Sequence, residues 1–406
     1  MQVAGVIAEF NPFHNGHAHL LREAHRTGAD AVAVVMSGCF TQRGEPACMS
    51  PTTRCAAALH AGADLVVELP LPWAMAAADT FAAGAISLLK ALGCVDRLVF
   101  GSETGDTDKL TECVRMLNEV DGSSAFADAL AAGCSFPRAR QNAVHILFPQ
   151  ADISPLSRPN DTLALAYLNA CAKLKAPFNP FAVRRVFAGH DTVGEEAGFS
   201  SAAQVRALLT AGREEKALAC VPEQAAVLYR RALAAGAAPY RAAYAERAVL
   251  ARLRCLDAAA LARVPDVSEG LENRLLSAVH RASGLEPLFS AIKSKRYTLA
   301  RVRRVVWGAF LGLSRTHTAA PPPYLRILGI GPRGRDILRR AGQTGSLPIV
   351  TRHADVAGLG TFARHVYELE CRANDLYGLF LPCVQPTGML QRTELIHVQT
   401  LQNRPK

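Results

Sequence analysis

Val3-Ala4-Gly5-Val6-Ile7, followed by Ala8-Glu9-Phe10-Asn11-Pro12-Phe13-His14-Asn15-Gly16-His17, decides how the first half of the chain is read. The apolar run has the length of a buried strand. Ahead of the turn, Leu20, Leu21 and Ala24 within Ala18–Arg26 recur at helical spacing. The order is therefore strand, tight polar turn, helix. His14 and His17 are three residues apart, so a helix starting at the turn projects both imidazoles from one face of its first turn. Gly16 between them leaves room for a ligand to approach the backbone. A helix N-terminus offers unpaired N–H groups and a partial positive charge, which suits a polyphosphate. Two histidines beside it can hydrogen-bond phosphate oxygens as charge builds there.

Working outward, Ala31–Met36, Leu65–Glu68 and Val95–Phe100 are further short apolar runs, separated by helical patterns at His17–Arg26, Thr52–Ala61 and Phe81–Leu92. Strands alternating with helices predict an α/β fold with right-handed crossovers and a Rossmann-like parallel sheet. In such a sheet the ligand lies at the carboxyl ends of the strands, near the switch in strand order. The loops that follow the strands, Asn11–His17, Ser37–Pro46 and Gly101–Asp108, are the polar ones. Phe181–Phe187 reads as a further strand and Ser201–Thr210 as a helix. Beyond them the chain becomes Ala/Leu/Arg-rich, with helical patterns over Glu223–Ala262 and Leu271–Leu313. Thr316–Pro323, with three consecutive prolines, reads as a linker, and Tyr324–Ile330 and Pro348–Thr351 as short strands. The expected division is 1–210, a ligand-binding α/β domain; 211–318, a mostly helical basic region; and 319–406, a small α/β segment.

The net charge of +10 over 406 residues is unevenly spread. Residues 1–200 carry 15 Lys/Arg against 20 Asp/Glu, and 201–406 carry 30 against 15, so −5 faces +15. A basic second half beside a mildly acidic first suits a polyanionic macromolecule; a plain solvated, Arg-rich surface gives the same count. No apolar run reaches the roughly 18 residues of a membrane span, and with a strand directly at the start a signal peptide is not expected. Eleven cysteines without a C-x-x-C pair read as reduced thiols of a cytoplasmic protein.

His14-Asn15-Gly16-His17 after a first strand resembles the HxGH signature of the nucleotidyltransferase superfamily. Glu9–His17, Met36-Ser37-Gly38-Cys39-Phe40-Thr41-Gln42-Arg43-Gly44-Glu45-Pro46-Ala47 and Gly101-Ser102-Glu103-Thr104-Gly105 together resemble the tRNA(Met) cytidine acetate ligases. Ser157–Asn160, Lys293–Thr298 and Pro323–Gly329 extend the likeness over most of the chain. The resemblance implies that ATP and acetate form acetyl-adenylate, and that the acetyl group then passes to N4 of the wobble cytidine of elongator tRNA(Met). It implies ATP contacts from Ile7, Ala8, Glu9, Phe10, Asn11, Pro12, Phe13, His14, Asn15, Gly16, His17, Ala18, His19 and Leu20, and from Gly101, Asn160 and Arg185, with Arg184 the rival of Arg185. His14, His17 and Arg43 are the expected catalytic residues, ATP the nucleotide, and Mg²⁺ its companion ion. Lys293, Lys295, Arg296 and Tyr297 are the expected tRNA contacts. No protein partner is implied.

Acetate needs no base, being ionised at neutral pH; the enzyme aligns attacker and leaving group and stabilises growing negative charge. Arg43 suits that role through its planar fork, unless its loop simply faces water. Glu9, at the end of a buried strand, calls for a partner: His17, Arg43 or substrate. Asn160 would cap a helix starting at Asp161. Lys293–Arg304, with Tyr297 able to stack on a base, reads as a basic helix. Phe199–Arg206 stands where the superfamily has Ile-Ser-(Ser/Ala)-Thr-x-Ile-Arg; Ser200, Ser201 and Arg206 fit, while Ala203 replaces threonine. A Zn²⁺ pair at His14 and His17, joined by His19 or His25, lacks a Cys or carboxylate at helical spacing. Gly329-Ile330-Gly331-Pro332-Arg333-Gly334 matches G-x-G-x-x-G but lacks a visible βαβ context. Rival readings are adenylation of a small phosphate ester, which needs no basic half, and RNA binding without catalysis.

Overall fold

The computed structural model describes residues 1–185, 200–268 and 270–398. Five parallel strands form the centre of the sheet: β1 Val3–Ala8, β2 Ala31–Ser37, β3 Leu65–Leu69, β4 Arg97–Ser102 and β5 Asn179–Arg184. Their order is β5-β4-β1-β2-β3, so the order reverses between β1 and β4, next to the quoted turn. Ile7 of β1 registers with Val35 of β2, and Ala8 with Met36. β2 and β3 are buried at every position, as expected for parallel strands covered by helices on both faces. On one face Ile7, Val35, Leu89, Phe100 and Tyr167 pack together. On the other, Val6, Val34, Phe10, Phe13 and Leu21 do.

β4 begins at Arg97, two residues later than the apolar run suggests. Asp96 explains the delay: its carboxylate accepts the Val3 N–H at 2.7 Å, so it closes the sheet edge instead of opening the strand. Residues 319–406 join the same sheet. β6 Leu325–Ile330 runs antiparallel beside β3, and β7 Ile349–Val350 and β8 Ile396–His397 run parallel to β6.

The Glu223–Ala262 pattern divides into helices Glu223–Ala234, Ala242–Arg254 and Ala258–Ala262. Gly236, at φ +63°, breaks the first from the second, and Asp257 caps the third. With helices Leu271–Arg281, Leu285–Ile292 and Leu299–Leu311, and with Leu369, Tyr377 and Phe380 of the C-terminal segment, the second and third enclose a second core around Trp307. Phe40, from the loop after β2, inserts into that core at 5.6 Å from the Trp307 ring. The loop at the carboxyl end of the sheet is thus pinned to the helical region. Among the described residues, no helix is long and apolar enough to cross a membrane.

Candidate active site

The helix after β1 spans Asn15–Arg26, with His14 as its N-cap. The Gly16 N–H donates to His14 Nδ1 at 3.0 Å, and the His14 N–H donates to His17 Nδ1 at 3.2 Å. This is a capping box built from imidazoles. Both Nδ1 atoms are acceptors, so each ring carries its proton on Nε2. The rings stack with centroids 3.8 Å apart, and Phe10 packs edge-on to His17 at 4.9 Å. Burial, then the charges of Arg185 and Arg206, hold His14 down at about 3. Burial, then His14 and Arg185, lower His17 well below its ordinary value. Both histidines are neutral donors at physiological pH, aimed where a phosphate would meet a helix N-terminus.

The turn itself is rigidly held. Phe10 and Phe13 are fully buried, Ala18 and Ile7 nearly so, so these residues offer a ligand their backbone and pack with their side chains. The Asn11–Pro12 peptide is cis and Phe10 has φ +48°. Asn11 accepts the Cys48 N–H at 2.8 Å through Oδ1, and its carbonyl accepts Arg206 Nη1 at 2.7 Å. Tyr229 donates its hydroxyl proton to the Phe13 carbonyl at 3.1 Å. Arg206 therefore ties the second signature to the first. Ser201 and Gln204 form a capping box on helix Ala202–Thr210, so Ser201 is engaged in capping; Ala203 is exposed, and Phe199 lies outside the described residues.

Gly101, Asn160 and Arg185 come together at the carboxyl ends of β4 and β5. Arg185 Nη1 donates to Asn160 Oδ1 at 3.1 Å, and a side chain at Gly101 would touch Arg185 Cγ at 3.8 Å. Strand alternation sends Arg184 to the other face. There it lines a cavity of about 630 Å³ with Glu103, Asp106, Lys109, Asp152 and Arg158, and the histidine pair does not border it. Asn160 is not a helix cap. The helix starts earlier, at Pro159, and the Glu103 carboxylate takes the N–H groups of Asn160 at 3.2 Å and Asp161 at 2.8 Å. That leaves the Asn160 side chain to orient Arg185.

The loop after β2 is flanked by two arginines with different roles. Arg54, on helix Pro51–His60, is fully buried. Its Nε donates to the Met49 carbonyl at 3.0 Å and its Nη1 to those of Glu9 at 2.5 Å and Ser37 at 3.0 Å; Nη2 reaches the Gly38 carbonyl. One side chain thus clamps the ends of β1 and β2. Arg43 instead acts through its charge, which bears on Glu9 and Arg185. Glu9 accepts the Gln42 N–H at 2.7 Å, and burial raises its pKa against the opposing pull of Arg43. Among the described residues, no hydrogen bond links Glu9 to His17. Glu45 pairs with Arg303 and with Arg206, and a side chain at Gly44, φ +71°, would collide with the backbone of Arg303 and Arg304. Arg54 is the residue that reading the sequence missed; its only signal is a lone charge among Cys55, Ala56, Ala57 and Ala58.

The basic stretch is half turn and half helix: Arg301, Arg303 and Arg304 lie on the helix Leu299–Leu311, while the expected tRNA contacts precede it in a turn. Residues 293–298 connect two helices, with the Tyr297 N–H on Ser294 Oγ at 3.2 Å. Lys293, Lys295 and Arg296 are exposed. Tyr297 is 8% exposed and carries the Arg301 guanidinium over its ring at 5.1 Å, so its stacking face is taken within the protein. Arg303 and Arg304 pair with Glu45 and Asp266.

Two alternatives are resolved by packing. His19 lies 3.8 Å from Glu23, and His25 bonds the Gly62 carbonyl at 2.9 Å, so neither turns toward His14 and His17. Among the described residues, no cluster of three or more His, Cys, Asp or Glu could hold a metal ion. The G-x-G-x-x-G turn does lie in a βαβ unit, β6, helix Gly334–Thr344 and β7. Gly331 and Gly334, however, admit the chain at Ala63 and Asp64: a Cβ on Gly334 would collide with the Asp64 carbonyl. Asp64 Oδ1 accepts the Arg333 N–H at 3.0 Å, filling the anion position with a carboxylate of the protein. Because β6 is antiparallel to β3, this turn also lies at the opposite edge of the sheet from the histidines.

A family model described as HIGH Nucleotidyl Transferase matches residues 1–391. The tRNA(Met) cytidine acetate ligase of Acetivibrio thermocellus is 35% identical over 396 residues, spanning 93% of this chain and 94% of that protein. That of Syntrophomonas wolfei is 34% identical over 400 residues, spanning 94% and 95%. The crystal structure of Thermotoga maritima TmcAL bound with alpha-thio ATP matches 98% of this chain and 100% of its own, with a TM-score of 0.90 at 28% identity.

Proposed function

The chain belongs to the tRNA(Met) cytidine acetate ligases of the HIGH nucleotidyl transferase family, and from that premise we propose that it activates acetate with ATP and acetylates N4 of the wobble cytidine of elongator tRNA(Met). In the first step an acetate oxygen attacks the α-phosphorus and pyrophosphate leaves; in the second the cytidine amine displaces AMP from the acetyl group. The observation that carries the reading is the stacked His14–His17 pair at the strand-order switch, its tautomers fixed by the backbone and both rings within reach of the Arg185 charge.

His14 and His17 donate to phosphate oxygens as negative charge develops on them. Neutral donors held by the helix start need no reorganisation when that charge appears. Arg185, oriented by Asn160, and Arg43, on the loop pinned by Phe40, supply positive charge on either side. Gly101 leaves space for the nucleoside. Mg²⁺ would accompany ATP through the phosphate oxygens and would offset their charge. The exposed Lys293, Lys295 and Arg296 and the +15 second half support tRNA docking on the helical side. The helical core into which Phe40 inserts brings that side up to the loop after β2; the expected boundaries at 210 and 318 do not separate catalytic from tRNA-binding parts, since Tyr229 packs on the histidine turn and β6 joins the sheet.

Incubation with ATP, labelled acetate and bulk tRNA, followed by nucleoside analysis, tests the reading. The expected product is labelled N4-acetylcytidine, with AMP released. Label absent from cytidine, or a product that requires acetyl-CoA, overturns the proposal; adenylation of a phosphate ester without tRNA would point to the small-molecule rival.

A further inference from the structure

We propose that Glu9 is the base that takes the proton from the attacking cytidine amine in the second step, an inference that rests on the two-step reading above. The exocyclic nitrogen of cytosine shares its lone pair with the ring and is a weak nucleophile. As its bond to the acyl carbon forms it becomes cationic, and a proton must leave before the product is stable.

The two histidines cannot accept that proton. Each Nδ1 already accepts a backbone N–H, and each Nε2 bears the hydrogen. The neighbouring carboxylates are also committed. Glu45 pairs with Arg303 and Arg206, and Glu68 with Arg326. Glu103 caps the Pro159–Leu174 helix, and Asp161 accepts from Ser102 at 2.5 Å and from Thr104. Glu9 differs. It is half-buried, one residue beyond β1 at the centre of the sheet's carboxyl edge. Among the described residues, its carboxylate accepts only the Gln42 N–H, through Oε1, which leaves Oε2 for a substrate proton.

The groups around it favour that role. Arg43 and Arg206 lower its pKa and Glu45 raises it, while Arg54 bonds its carbonyl, not its carboxylate. The buried phenol of Tyr167 lies within reach of its charge. Desolvation outweighs the rest and lifts Glu9 above the usual carboxylate range, making it a stronger base than a surface carboxylate. In the step, the N4–acyl bond forms, the bond from the acyl carbon to the phosphate oxygen breaks, and that electron pair leaves with AMP. The amine proton moves to Glu9 and then to water at the exposed edge.

The test separates the half-reactions on the full-length enzyme. Acetate-dependent ATP–pyrophosphate exchange reports adenylation, and quench-flow transfer of labelled acetyl from enzyme loaded with ATP and acetate to tRNA reports the second step. Glu9→Gln keeps an acceptor for the Gln42 N–H. It is expected to slow transfer about 100-fold or more, the scale of a lost general base, with a far smaller fall in exchange and loss of the rise of transfer rate with pH. Glu9→Asp is expected to restore that pH limb at a lower rate, and it carries the test should Glu9→Gln fold poorly. Transfer at the wild-type rate in Glu9→Gln, or exchange and transfer falling by one factor with the pH limb intact, overturns Glu9 as the base. Wild-type enzyme without acetate-dependent exchange overturns the two-step reading itself.

Discussion

Replacing Arg54 by lysine tests whether one buried cation sets the geometry of the active-site rim. Arg54 is fully buried and satisfies the carbonyls of Met49, Glu9, Ser37 and Gly38. These carbonyls lie in three directions, which a planar guanidinium with five donors can meet and one ammonium cannot. At least two carbonyls lose their partner in Arg54→Lys. Hydrogen bonds to charged groups are worth about 1.5–3 kcal/mol each, so the expected loss is about 3–6 kcal/mol, a large share of the roughly 5–15 kcal/mol that holds a domain together. Equilibrium urea unfolding measures it as a lower midpoint at unchanged slope. Because two of the freed carbonyls belong to Glu9 and Gly38, ATP–pyrophosphate exchange should fall further than the unfolded fraction explains. A loss below about 1 kcal/mol with unaltered exchange would refute the clamp.

Burial and the nearby arginines hold His14 neutral in the folded state, at about 3 against 6.5 when unfolded. As pH falls below 6.5 the unfolded chain takes up a proton that the folded one refuses, so stability drops; at pH 5 this site alone accounts for about 2 kcal/mol. Comparing urea midpoints at pH 7 and pH 5 for wild type and His14→Gln checks it, since the variant should lose that part of the pH dependence; an identical dependence contradicts it. Changing Lys293 and Lys295 together to alanine should weaken tRNA binding at low salt and reduce the slope of log K against log salt by about 2. Acetate-dependent exchange, which needs no tRNA, should persist, and an unchanged salt slope would remove the turn from the tRNA contacts.

The histidine turn after β1 was legible because its information is local. The change from strand to helical periodicity, the turn residues and the paired histidines all fall within 26 residues. The same holds for the alternation that fixed the parallel sheet. What the sequence hid depends on distant partners. Arg54 looks like an ordinary helix residue until the ends of β1 and β2 bring three carbonyls to it. Asn160 resembles a cap until Glu103, from the loop after β4, takes that place. Tyr297 looks like a stacking platform until the helical core covers it and Arg301 lies over its ring. The glycine turn after β6 was doubted for want of a βαβ unit, which exists; the antiparallel pairing with β3 and the carboxylate of Asp64 are what occupy it. Each case turns on long-range packing that periodicity and spacing do not encode.

The central claim, that acetate attacks the α-phosphorus of ATP, is tested most directly by following oxygen. Enzyme, ATP, tRNA and acetate labelled with ¹⁸O at both oxygens are incubated, and the AMP and pyrophosphate are analysed by mass spectrometry. The expected result is one ¹⁸O in the phosphate of AMP, one in the acetyl group of the modified cytidine, and none in pyrophosphate. AMP without label, or unlabelled ADP formed together with ¹⁸O-labelled inorganic phosphate, would contradict an acetyl-adenylate intermediate.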